Sequence, residues 1–142
     1  MTDLGVDAHV LAGLPAAAVL FAALAHGRVP RGRVRLRRAL AVRWAGLAAG
    51  AGLEEIVWRG FVLGGKTLAA GPLAALAISS LGFAVWHGPS LGRRCVVHVL
   101  TGGAFGIACM LGGLATAVVA HAVYNLLVDW AVLAHRREAV SS

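Results

Sequence analysis

Gly50-Ala51-Gly52-Leu53-Glu54-Glu55-Ile56-Val57-Trp58-Arg59-Gly60-Phe61 is the stretch on which the reading of this chain turns. Two adjacent carboxylates and a guanidinium stand inside an apolar run that extends from about residue 39 to 65. An ionisable group in hydrocarbon costs about 2.5–3.5 kcal/mol on insertion scales, so its default reading in a membrane span is functional. Helical spacing sorts the three groups. Glu55 and Arg59 are four residues apart, share a face and can pair. Glu54 is rotated about 100° from Glu55, so the two carboxylates are free to do different work.

The composition around this stretch sets the class. Of the 142 residues, 59% are hydrophobic and only 13% are charged, against roughly 25% charged in soluble domains. The mean hydropathy is +0.80. The chain reads as a single integral-membrane domain over residues 1–142, with membrane lipids as its surroundings. A net charge of +7 invites a nucleic-acid reading, but the charge is concentrated in one place. Arg28, Arg31, Arg33, Arg35, Arg37 and Arg38 crowd a single connector, as juxtamembrane anchors at an anionic leaflet do. No nucleic-acid motif accompanies them. Cys95 and Cys109 are the only cysteines and lie about 21 Å apart along one continuous helix, too far to be bridged.

The apolar runs predict an all-α bundle of about five transmembrane helices around a buried polar site. They cover about residues 8–25, 39–65, 67–87, 95–111 and 114–133, each near the ~20 residues that cross a bilayer core. The first run reads as a retained helix, because Asp3 and Asp7 stand where a signal peptide carries positive charge. Gly88-Pro89 is a stop signal, and Gly112-Gly113 a tight turn. Gly46 with Gly50, and Gly102 with Gly106, offer G-x-x-x-G faces for close helix approach. Counting Lys and Arg puts the basic connectors on the cytoplasmic side, with Lys66 the one exception, and the cell (plasma) membrane is the expected location.

Two further motifs repeat the logic of the first. Phe83 and His87 form F-x-x-x-H at the end of the third run, and His121 and Asn125 form H-x-x-x-N in the fifth. Carboxylates, imidazoles and a carboxamide on separate membrane helices are the parts of a buried hydrolytic site. The assignment is Glu54 as general base, Glu55 and Arg59 as its supporting pair, and His87 as a partner in activating water. His121 and Asn125, one turn apart, would donate to an oxyanion. Each motif alone has a plain structural reading: a Glu–Arg brace, a snorkelling His, or polar glue between helices. Their conjunction favours the site. His98, on a helix with no motif, reads as a satisfied histidine facing the bundle. Asp129 reads as a supporting or interfacial charge, and Trp44, Trp58 and Trp86 as packing residues or anchors.

The three motifs, in this order, resemble the CPBP family of intramembrane proteases, which includes type II CAAX prenyl endopeptidases and Abi-group bacteriocin-processing or immunity proteins. Arg59-Gly60-Phe61-Val62-Leu63 is similar to the family's R-G-F-like sequence. Ser79-Ser80-Leu81-Gly82-Phe83-Ala84-Val85-Trp86-His87 is similar to its second motif, and Ala120-His121-Ala122-Val123-Tyr124-Asn125 to its A-H-A-x-x-N ending. The resemblance covers roughly residues 50–128. It implies peptide-bond hydrolysis within the membrane, on a hydrophobic or lipidated peptide, with Glu54, Glu55, Arg59, His87, His121 and Asn125 as the site. A zinc-dependent and a metal-free mechanism both fit these letters, and Glu54, His87 and His121 would be the zinc ligands. Many relatives carry more spans, so this near-minimal core invites a second copy or a partner to close its cavity. A non-catalytic immunity or regulatory protein using the same cavity is the competing reading.

Overall fold

The computed structural model describes Ala17 and residues 38–65, 69–92 and 95–141. Every regular element among them is helical. Helix α1 (Arg38–Glu55) runs without interruption into a π-helical segment, Ile56–Leu63. Helix α2 spans Pro72–Leu91 and α3 spans Cys95–Ser141. The expected span over residues 8–25 lies outside the described residues apart from Ala17, which packs with Phe105 and Ala120.

The interior mixes apolar side chains such as Phe83 and Phe105 with an unusual number of polar ones, and many large apolar side chains face out. Glu55, Arg59, Ser79, Ser80, Thr101, Thr116, His121 and Asp129 are buried, whereas Phe61 is 73% and Leu73 79% exposed. Side chains that water would drive inward face outward along the helices. So many exposed large apolar side chains fit a lipid surround. The polar groups turn inward, where other helices satisfy them.

Within α3, residues Val96–Arg136 are long and apolar enough to cross a membrane. Those 41 residues would measure about 60 Å as one straight helix, twice the ~30 Å bilayer core. They are not one straight helix. Gly113 adopts φ 81°, ψ 175°, a backbone conformation that glycine alone enters freely. The chain reverses there: Phe105 and His121 lie eight residues to either side and their rings stack 4.5 Å apart. The turn expected at Gly112-Gly113 is therefore present, and residues 95–112 and 114–141 run antiparallel.

Helix α2 begins at Pro72, not at Thr67. Gly71 with φ 95° precedes it, and proline at the first helical position lacks only an N–H that would be unpaired in any case. Its end also differs from expectation. Gly88-Pro89 does not stop the helix, which continues to Leu91 and closes where Gly92 turns to φ 53°.

The two G-x-x-x-G faces behave differently. A Cβ placed at Gly102 would meet Phe83 and the backbone of Ser80 at 3.2–3.3 Å, so α2 and α3 approach closely there. Gly46 and Gly50 have nothing within 4 Å among the described residues, so the expected approach is not seen at that pair. Gly102→Leu is expected to force α2 away from α3 and destabilise the bundle by about 1–3 kcal/mol. Gly106→Ala displaces only the flexible end of Leu76 and is expected to shift the unfolding midpoint less. Denaturant unfolding in one detergent compares the two.

A further tie among the described residues joins α1 near its start to α3. Asp129 accepts hydrogen bonds from Arg43 Nε at 3.0 Å and Trp44 Nε1 at 2.9 Å, and Arg43 Nη2 completes a forked ion pair. Asp129 is thus a strut between α3 and α1, and Trp44 is part of it.

Candidate functional site

The site grows from the end of α1. Glu55 is fully buried, and its Oε1 accepts a 2.8 Å hydrogen bond from His121 Nδ1–H of α3. Arg59, one turn on, pairs with it through Nε to Oε2 at 3.1 Å. That contact is an ion pair without hydrogen-bond alignment, since Glu55 Oε2 and Arg59 Nε have no aligned partner. Arg59 Nη2 instead donates to the Gly102 carbonyl at 2.7 Å, and the guanidinium lies 4.9 Å from the Phe83 ring centroid. The pair therefore joins the π-helical segment, α2 and both limbs of α3 at one point.

The π-helical stretch begins directly after Glu55. Its last turn is closed by the Gly64 N–H on the Arg59 carbonyl at 3.0 Å, the five-residue step of a π-helix. Ser79 of α2 donates to the Trp58 carbonyl at 2.8 Å. Such insertions gather at functional sites, where they re-aim side chains relative to a straight α-helix. The indole of Trp58 lies where a Cβ on Gly82 would be, so that glycine is what lets it lie down on α2.

Glu54 and Glu55 have separate environments, as their 100° offset required. The Glu54 side chain is 31% exposed and its Oε2 lies 3.7 Å from two imidazole nitrogens, His87 Nε2 and His121 Nε2. Both rings arrive with the other nitrogen already committed: His87 Nδ1 to the Phe83 carbonyl at 2.9 Å, and His121 Nδ1 to Glu55. A ring that donates through Nδ1 presents Nε2 outward, toward Glu54. Phe83 packs against both rings, with centroids at 4.6 Å and 5.6 Å. Beside Glu54 lies an apolar groove of about 330 Å3, bounded by Leu53, Val57, Trp58 and Trp86.

Five of the six expected residues thus converge through direct contacts. Asn125, half-buried and one turn beyond His121, makes no side-chain hydrogen bond among the described residues. The residues expected as a zinc set, Glu54, His87 and His121, meet at Glu54 Oε2, 3.7 Å from each Nε2. Among the described residues no three His, Cys, Asp or Glu side chains form a metal-binding cluster. His98 faces the bundle, as expected, and its ring stacks on His87 at 4.4 Å and 10°, a contact not foreseen from the sequence. The heptad spacing of His98 and Phe105 on one helix face was the available signal.

No curated protein and no solved structure matches the chain. The family model described as type II CAAX prenyl endopeptidase Rce1-like matches residues 35–127. That match spans well over half the chain and takes in all six residues from Glu54 to Asn125, so the chain belongs to the type II CAAX prenyl endopeptidase Rce1-like family, whose members are membrane-embedded proteases.

Proposed function

We propose that this chain is an intramembrane endopeptidase that hydrolyses a peptide bond in a membrane-embedded or lipid-anchored peptide, C-a-a-X-type prenylated peptides being the first class to test. One observation carries the reading: a partly exposed carboxylate oxygen stands 3.7 Å from two imidazole nitrogens whose rings are tied at the opposite atom. A separation of this size is one a water spans by hydrogen-bonding to both groups. A water donating one hydrogen to Glu54 Oε2 and the other to His87 Nε2 has its oxygen lone pair free for a carbonyl carbon. Glu54 then takes the proton as the C–O bond forms, and returns it to the leaving amine as the C–N bond breaks.

His121 in its imidazolium form donates from both nitrogens. Nδ1–H stays on Glu55, and Nε2–H is directed at the oxyanion, where the Asn125 amide supplies a second donor. Buried Glu55 stabilises that charged ring and Arg59 offsets the carboxylate from behind. The groove lined by Trp58 and Trp86 takes an apolar part of the substrate. The wider architecture that fits is about five spans, the first being residues 8–25, in a plasma membrane with the basic connectors cytoplasmic. The competing immunity or regulatory reading needs only a cavity and gives no reason for two imidazoles to converge on one carboxylate oxygen.

The test is direct. Purified wild type and His121→Ala, both shown folded by thermal melt, are incubated with pooled peptides that include farnesylated C-a-a-X sequences, with and without chelator. Mass spectrometry is expected to find cleavage by wild type alone, undiminished by chelator. Silence from folded wild type, or equal cleavage by His121→Ala, rejects the proposal. Loss of activity with chelator, restored by zinc, would replace the metal-free step with a metal-dependent one.

A further inference from the structure

His98 belongs to none of the three motifs, yet it is in ring contact with the site. It stands seven residues before Phe105 on α3, two helical turns away and on the same face. The two rings make matching contacts. Phe105 stacks on His121 at 4.5 Å and 17°, and His98 stacks on His87 at 4.4 Å and 10°. Phe83 completes the cluster, 5.8 Å from His98. Each imidazole beside Glu54 is therefore backed by a flat ring from the same face of the same helix.

We propose that His98 is a positioning residue whose ring holds the His87 imidazole with Nε2 toward the Glu54 carboxylate. The need for it differs between the two histidines. The His121 side chain is 5% exposed and anchored on a buried carboxylate. The His87 side chain is 22% exposed and, among the described residues, is hydrogen-bonded to the carbonyl of its own helix four residues back. One hydrogen bond at Nδ1 leaves the ring free to swing about that contact. A plate lying parallel to the ring removes the swing, while Phe83, tilted at 47°, limits the ring from another direction. What the position requires is a flat ring. The contact Phe105 makes with His121 indicates that a phenyl group would serve at position 98.

This inference rests on the reading of His87 as the residue that holds the attacking water, and its test separates the two. Wild type, His98→Phe and His98→Ala are compared for kcat and KM on a peptide that wild type cleaves. Histidine-labelled protein in the same detergent gives the His87 tautomer and line width by NMR. His98→Ala is expected to lower kcat by about tenfold or more, because small misplacements of a reacting group are expensive. KM should stay within about twofold, since the ring touches no substrate. His98→Phe should recover kcat to within about threefold of wild type.

The His87 resonance should report one tautomer, protonated at Nδ1, in wild type and His98→Phe, and should broaden or average in His98→Ala. A kcat for His98→Ala within about twofold of wild type overturns the proposal. So does a His87 resonance that is unchanged in that variant, or a His98→Phe no better than His98→Ala. Where His98→Ala does not fold, His98→Leu, bulky but not flat, takes its place with the same expectations. If wild type cleaves nothing, the proposed activity has failed, and the resonance comparison alone decides the role of His98.

Discussion

Glu54→Gln is expected to lower kcat by about 10²–10⁴-fold, the range a positioned general base contributes, with little change in the unfolding midpoint. Glutamine retains the shape, so the groove and the contacts of Leu53 and Trp58 should persist. What it lacks is an oxygen able to take the water's proton while the carbonyl is attacked. Little stability should be lost, because the Glu54 side chain is 31% exposed and its 3.7 Å contacts to His87 and His121 are not hydrogen bonds. Stopped turnover with an unchanged melt separates a reacting carboxylate from a structural one. Cleavage by Glu54→Gln at the wild-type rate would remove Glu54 from the chemistry.

Arg59→Leu should have the opposite character, acting on the fold and on the site together. Glu55 is fully buried, and Arg59 is the guanidinium in direct contact with it. Removing one partner of a buried pair costs up to about 3–5 kcal/mol, here because the Glu55 carboxylate keeps the His121 ring on Oε1 while Oε2 loses its cation. The Gly102 carbonyl loses its donor and Phe83 the cation over its ring. Denaturant unfolding should show the large loss. The double variant Arg59→Leu with Glu55→Gln should recover part of it, because a neutral pair no longer carries that charge. Activity should not return, since a neutral amide at position 55 can no longer stabilise a charged His121. Arg59→Lys is not a conservative test, because lysine cannot hold Glu55 and the Gly102 carbonyl at once through a planar fork. Equal stability of the single and double variants would show that the Glu55–Arg59 contact is incidental.

Much of this arrangement was legible from residue spacing. The four-residue interval between Glu55 and Arg59 predicted their pairing, and the 100° offset of Glu54 predicted a separate environment. Gly112-Gly113 marked the reversal in α3, because two adjacent glycines inside an apolar run have a backbone use before any side-chain use. The exit of α2 was misread for a related reason. Proline removes its own N–H but does not forbid a further turn, and a positive φ at Gly92 ended the helix instead. Of the two G-x-x-x-G patterns, the one at Gly102 meets α2 among the described residues, because small residues permit close approach and the neighbouring helix decides where it occurs.

Residue order alone was enough to identify a helical membrane protein and to single out six polar residues in three motifs within its apolar runs. Both follow from local facts: the energy of placing charge in hydrocarbon and the angle between neighbouring residues on a helix. The packing of the helices was needed to show that Glu55 binds His121 while Glu54 faces both imidazoles. It was needed as well to give Asp129 to Arg43 and Trp44, and to stack His98 on His87. Those pairings join residues tens of positions apart, or on different helices. They depend on the rotation and depth at which the helices meet, set by Gly102 against Ser80, Trp58 over Gly82 and the reversal at Gly113. No spacing along a single helix encodes that geometry.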